Sequence, residues 1–160
     1  MRSITIVGAG QAGLQLGIGL VRKGYSVTII SNRTGEEISK GRILSSQSMY
    51  DMALSHEREL GIAFWDASCP PIEGVHIRAG NAQSGPMIDF RSRLSARGQS
   101  LDQRLKMPRW MDEFQRLGGR LLIGDVDMDE LERLADAADL VLVATGKGDL
   151  GKLFERRPRP

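Results

Sequence analysis

The chain has 160 residues, 41% of them hydrophobic, and its 22 basic residues exceed its 20 acidic ones by only two. That length suits one domain able to bury roughly 70% of its unfolded surface, and so small a charge excess demands neither a nucleic acid nor an anionic membrane as partner. A single cysteine, Cys69, excludes an internal disulfide framework and fits a reducing, cytoplasmic setting.

No stretch approaches the roughly 20 apolar residues that span a bilayer. The first β-branched run begins at Ile4, which leaves no room for a secretory signal, so secretion is not expected. Ile4 to Val7 reads as a strand, and Gln11 to Lys23 follows as a helix with Leu14, Ile18 and Val21 on one face. Gly24 stands where a helix ends in a left-handed turn. Ser26 to Ile30 (SVTII) is a second short β-branched strand, parallel to the first if the crossover has its usual hand.

Asn32 to Gly41 is polar and reads as a loop, and Leu44 to Leu60 as a helix with Met49, Met52 and Ala53 turned inward. ASCPPIEG then breaks any helix, and two short strands are expected at Val75 to Arg78 and Met87 to Phe90. Ser100 with Gln103 suggests a capping box that opens a helix carrying Leu101, Leu105, Met111, Phe114 and Leu117. Pro108 would bend that helix or mark its start. Gly118 and Gly119 stop it. Arg120 to Ile123 is a strand, Asp127 with Glu130 caps a helix bearing Leu131, Leu134 and Ala138, and Asp139 to Ala144 (DLVLVA) reads as a strand buried on both faces. The terminal RRPRP reads as a solvated or truncated end. With no internal repeat, the fold class is α/β: a Rossmann-like sheet from about 1–66 and 99–150 with an inserted antiparallel β segment at about 70–98.

Gly8, Gly10 and Gly13 keep the GxGxxG spacing directly after a strand and before a helix. Gly8 permits the tight turn, Gly10 lets a pyrophosphate approach the backbone, and Gly13 lets the helix pack closely on the strand. Amides at the helix start favour a bound anion, and Gly17 continues the close-packed face. The acidic residue that usually ends the second strand and binds a ribose hydroxyl is missing, for the chain runs on through Ser31, Asn32 and Arg33. Arg33 suits a 2′-phosphate of NADP; in a flavin protein Asn32 would bond the ribose and Arg33 flank the adenine. A plain solvated loop arginine is the third choice.

The segments IVGAGQAGLQLGIGLVRKGYSVTI, KGRIL, DQRLKMPRWMDEFQRLGGRL and DLVLVATGKGDLGKLFE together resemble the FAD-dependent oxygenase subunit of styrene and indole monooxygenases. They resemble more distantly the p-hydroxybenzoate hydroxylase class of flavoprotein monooxygenases. The likeness covers nearly the whole chain, and ATGKGDLGK is its most specific piece. It implies FAD as cofactor, with Gly8, Ala9, Gly10, Gln11, Ala12 and Gly13 along the pyrophosphate and Asn32 and Arg33 beside the adenosine. It also implies Arg42 facing the cofactor, Arg104 near the FAD chain, and Thr145 with Gly146 on the adenosine side. Arginines suit a doubly charged pyrophosphate, although Arg42 and Arg104 also read as surface charges, and a plain turn after a strand would account for Thr145 and Gly146.

The resemblance further implies a two-component enzyme that takes reduced FAD from an NADH-dependent flavin reductase. Such an enzyme epoxidises a vinyl-aromatic or indole-like substrate by way of a flavin hydroperoxide. The family's second flavin motif, a Gly-Asp pair that binds the ribityl chain, is expected well after the ATG segment, and here the sequence ends at Pro160. The expectation is therefore a fragment or a truncated product lacking the catalytic half, with an unpaired sheet edge open to homodimer formation. The other readings are a non-catalytic FAD- or NADP-binding module and an NAD(P)-dependent oxidoreductase domain.

No side chain is assigned to catalysis. His56 and His76 have no cysteine or carboxylate at metal-ligand spacing, and Cys69 has no activating base near it in sequence. Asp125, Asp127 and Asp129 lack the glycine and glutamate of a calcium loop and fit helix capping better. Trp65 and Trp110 are expected in the core. No GxSxG elbow is present, which suits chemistry carried by a flavin.

Overall fold

The structure is a computed structural model and describes residues 2–43, 46–81, 85–146 and 150. The terminal RRPRP and most of KGDLGK lie outside them. The chain divides into two compact units, one of Met1–Ile43 with Arg104–Pro160 and one of Leu44–Gln103.

In the first unit, four parallel strands stand in the order β6-β2-β1-β7: β1 Ser3–Val7, β2 Ser26–Ser31, β6 Arg120–Ile123 and β7 Leu140–Val143. Helices α1 Gln11–Arg22, α2 Gly35–Lys40, α4 Gln103–Arg116 and α5 Met128–Ala137 accompany them. A central strand of a parallel sheet is covered on both faces and so reads as an unbroken apolar run, and Ile4 to Val7 are all buried. On α1 the buried residues are Gly13, Leu14, Gly17 and Ile18. A Cβ on Gly17 would come within 2.7 Å of the Ile29 side chain and 3.3 Å of the Phe114 ring, so this glycine lets α1 press on β2 and α4. Gly24 has φ +83° and ends α1 in the left-handed turn.

α4 carries its apolar stripe at Met107, Trp110, Met111 and Phe114, the i, i+3, i+4, i+7 spacing of one helical face. Trp110 is fully buried, with the Lys106 ammonium 4.7 Å from its ring centre. Glu113 is also buried; Arg116 holds it by two hydrogen bonds of 2.8 and 2.5 Å, and Arg22 approaches to 3.8 Å. The Arg116 bonds hold its carboxyl below the usual range against burial, which pushes the other way, and the charges of Arg116, Arg109 and Arg22 add to the lowering. A carboxyl depressed in the folded state stabilises above its unfolded value, and that contribution is lost as pH falls through the folded value. Urea unfolding should therefore show Glu113→Gln less stable than the unsubstituted protein at pH 6, the gap closing below roughly pH 4. A gap that persists unchanged at pH 3 would contradict this.

The second unit contains β3 Ser46–Met49, α3 Asp51–Glu59, β4 Pro71–Asn81 and β5 Gly85–Asp102 in an antiparallel sheet of order β3-β5-β4. Leu54, Glu57 and Ile62 form its buried part. Gln99 amide nitrogen bonds Asp66, which is also paired with Arg58. The long β4–β5 ribbon carries Ile77, Ile88 and Phe90 on one face, all more than half exposed.

Several expectations are corrected. The segment 32–41 is not all loop: Thr34 accepts from the Glu37 amide while Glu37 accepts from Thr34, and this capping box starts α2. Those bonds from Thr34 hold the Glu37 carboxyl below its usual range. The single helix expected at Leu44 to Leu60 is strand then helix, because Ser46–Met49 pair with Gln99–Asp102. Met52 is 78% exposed rather than inward.

Ser100 and Leu101 lie in β5, so helix α4 opens at Gln103 without the expected capping box. Pro108 sits inside α4 against Gly35, and Leu105 is exposed. The strands expected at Val75 to Arg78 and Met87 to Phe90 are much longer, because ladder bonds continue past the apolar residues. β7 is not buried on both faces: among the described residues it pairs only with β1, and Leu140 and Val143 are exposed. No helix of the described residues is long and apolar enough to cross a membrane.

Candidate functional site

Val7 lies opposite Ile30 of β2 and Val143 of β7, and Ser31 lies opposite Ile123 of β6. The loops that follow these parallel strands thus leave the sheet at one edge, its C-terminal edge. The crossover from β1 goes to β2 on one side, while β7 stands on the other. In open α/β sheets that is where a crevice forms and ligands bind.

The glycine loop occupies this crevice. Gly8 donates to the Ile30 carbonyl at 2.8 Å, and Ala144 donates to the Val7 carbonyl at 2.7 Å. Gly8 has φ +117°, and a Cβ there would lie 2.6 Å from the Ala144 carbonyl oxygen and 3.0 Å from the Thr145 nitrogen. A Cβ on Gly13 would overlap the Gly8 carbonyl oxygen. Gly10 differs from both: it is exposed, it caps α1 without a side chain, and a Cβ there would meet nothing within 4 Å. So two glycines are demanded by the protein's own packing, and the middle one faces open space. The first turn of α1 holds no acidic residue that would repel an anion.

The other residues named from sequence fall as follows. Ala9 and Gly13 are buried, Gln11 is half-buried and Ala12 exposed, all at the start of α1. Asn32 and Arg33 are exposed just past β2, next to the glycine loop along the sheet edge. Thr145 and Gly146 follow β7 on the other side, Gly146 with φ +65°. Arg42 is exposed after α2, and Arg104 is half-buried in the first turn of α4. The two helices meet where Gly35, the first residue of α2, faces Pro108 and Met111 of α4, a contact that involves neither arginine.

Ser31 was not singled out from sequence. It is 5% exposed, its hydroxyl donates to the Arg33 carbonyl at 2.7 Å, and it accepts from the Arg33 amide at 3.2 Å. Its own carbonyl accepts from the Gly124 amide at 2.8 Å. A serine two residues before the end of a turn is a legible signal for such a motif.

The other candidate groups have partners of their own. His56 is within 3.4 Å of Glu59, His76 is 2.8 Å from Asp89, and the Cys69 sulfur is 3.4 Å from the Ser100 carbonyl, all in the second unit. The Asp127 side chain accepts from the Glu130 amide and caps α5.

The fold is that of the flavin-dependent monooxygenases and halogenases. The brominase Bmp2 superposes with a TM-score of 0.62 at 23% identity over 78% of this chain and 30% of its own. The halogenase CmlS gives 0.62 at 17% identity over 81% and 24%. The monooxygenase PieE, solved with FAD and substrate, gives 0.54 at 21% identity over 77% and 24%.

In sequence the chain is a homologue of styrene monooxygenase StyA. It is 34% identical to the protein from Pseudomonas fluorescens over 156 residues and 33% identical to that from a Pseudomonas species, in each case over 98% of this chain. It spans 37% of the length of these relatives. No family model matches the chain.

Proposed function

We propose that this chain is the FAD-holding part of a two-component flavin-dependent monooxygenase. The observation that carries the reading is the unlike behaviour of the three glycines. The backbone around Gly10 is bare toward solvent at the start of a helix that opens the sheet crevice, a place no packing requirement of the protein explains. A pyrophosphate fits such a cradle, since it accepts from main-chain amides and needs no side chain near it.

In this reading Gly8 to Gly13 receive the pyrophosphate, with Gly8, Ala9 and Gly13 shaping the loop and Gly10, Gln11 and Ala12 nearest the phosphates. Asn32 and Arg33 take the adenosine from the β2 side, and Thr145 and Gly146 border it from the β7 side. Arg42, after α2, and Arg104, in α4, supply positive charge. Bound FAD, once reduced, supplies the electrons for oxygen activation. The chain's own contribution is to bind and orient.

The likeness to a styrene monooxygenase supports a vinyl-aromatic substrate, and the family resemblance of the sequence adds an indole-like alternative, epoxidation and an NADH-dependent flavin reductase as the source of reduced FAD. A second reading rests on Arg33, exposed at the end of a strand that lacks a carboxylate, which suits a 2′-phosphate and an NADP-binding module.

Titration with FAD, following flavin fluorescence, distinguishes the two. FAD is expected to bind saturably but weakly, since the residues expected to grip its ribityl chain are not in this sequence, and to resist displacement by NADP. Tight NADP binding with no FAD binding would reject the flavin reading.

A further inference from the structure

The end of β2 is where a nucleotide-binding α/β unit chooses its nucleotide, and this chain places no carboxylate there. What the structure shows instead is a closed ring. The Ser31 hydroxyl both donates to the Arg33 carbonyl and accepts from the Arg33 amide, at 2.7 and 3.2 Å, so residues 31–33 form a turn locked by a single side chain. The lock is buried at 5% exposure, whereas Asn32 and Arg33, which it encloses, are exposed.

The turn is also anchored on both sides. Ile30, the residue before Ser31, receives the Gly8 amide of the glycine loop, and the Ser31 carbonyl receives the Gly124 amide that follows β6. The Ser31 hydroxyl thus has its proton and one lone pair engaged within the turn. Its effect passes through the two residues it holds.

We propose that Ser31 is a positioning residue for the adenosine end of the bound dinucleotide, a role that rests on the FAD reading above. Locking the turn holds Asn32 and Arg33 in one presentation before the ligand arrives. Ordering costs that would otherwise fall on binding are then met in folding. An aspartate or glutamate at this edge would bond the ribose directly; here the same discrimination is made by a rigid turn.

The test uses FAD and inorganic pyrophosphate, which shares the diphosphate bridge and lacks the adenosine. Ser31→Ala removes both hydroxyl bonds and should weaken FAD about tenfold, the worth of one or two net hydrogen bonds, while leaving pyrophosphate affinity unchanged. Ser31→Thr, which keeps the hydroxyl, should restore FAD binding. Because Ser31 acts through Asn32, the double variant Ser31→Ala/Asn32→Ala should bind FAD no more weakly than the worse of the two single variants.

An equal loss of FAD and pyrophosphate, a Ser31→Ala change within twofold, or fully additive losses would each overturn the proposal. If Ser31→Ala does not fold, Ser31→Cys, of similar size with a weakly bonding thiol, replaces it with the same expected direction. Failure of the unsubstituted protein to bind FAD at all would instead sink the FAD reading, and this role with it.

Discussion

Replacing Gly10 by valine should leave the protein folded and abolish most of its affinity for FAD, whereas replacing Gly13 by alanine should damage the fold itself. The Gly10 Cβ direction is empty to 4 Å and its φ is −80°, a conformation open to any residue, so a Cβ enters without strain or clash. It would project over the amides at the start of α1 and hold an anion away. Losing one or two charge-assisted hydrogen bonds of about 1.5 to 3 kcal/mol each corresponds to roughly a ten- to hundredfold loss or more.

A Cβ on Gly13 meets the Gly8 main chain, which cannot swing aside as a side chain would. Overpacking of that kind costs about 1–3 kcal/mol or more, a drop in Tm of very roughly 2–12 °C at this chain length. Thermal melts of both variants beside FAD titrations check the pair. A Gly10→Val protein that binds FAD as well as the original would remove the principal support for the proposed function.

Phe114→Ala should be among the most damaging single changes to stability, at about 3–5 kcal/mol. The ring is completely buried, and an added Cβ on Gly17 of α1 would come within 3.3 Å of it. Gly119, which leads into β6, is closer still. The ring thus fills the space that two glycines leave between a helix, a turn and the sheet, and its removal leaves a cavity there. Urea unfolding measures the loss. A change under about 1 kcal/mol would mean that α1 and α4 repack around the gap.

The helix dipole and the glycine loop were legible because their causes are local. β1, α1 and β2 follow from a β-branched run, an apolar face at helical spacing and a glycine stop, all within thirty residues. α2 has a local signal as well, since Thr34 with Glu37 is a capping box, but the short helix behind it buries only Ile38 and offers no apolar periodicity. β3 was of a different kind. Ser46 to Met49 is a polar run that becomes a strand only because β5 supplies the facing ladder.

What the amino-acid sequence determined alone was the glycine spacing after a strand, the helix that follows, and hence an anion cradle at a helix start, since each depends on steric freedom and amides within a few residues. What only the tertiary structure decided was which of those glycines serves packing and which faces open space. It also decided that Ser31 locks the turn beside them and that an apolar run such as Leu140 to Val143 ends at an edge rather than inside a sheet. Those outcomes depend on atoms that Ala144, Gly124, Phe114 and β1 bring from far along the chain, and no local pattern specifies where such atoms will stand.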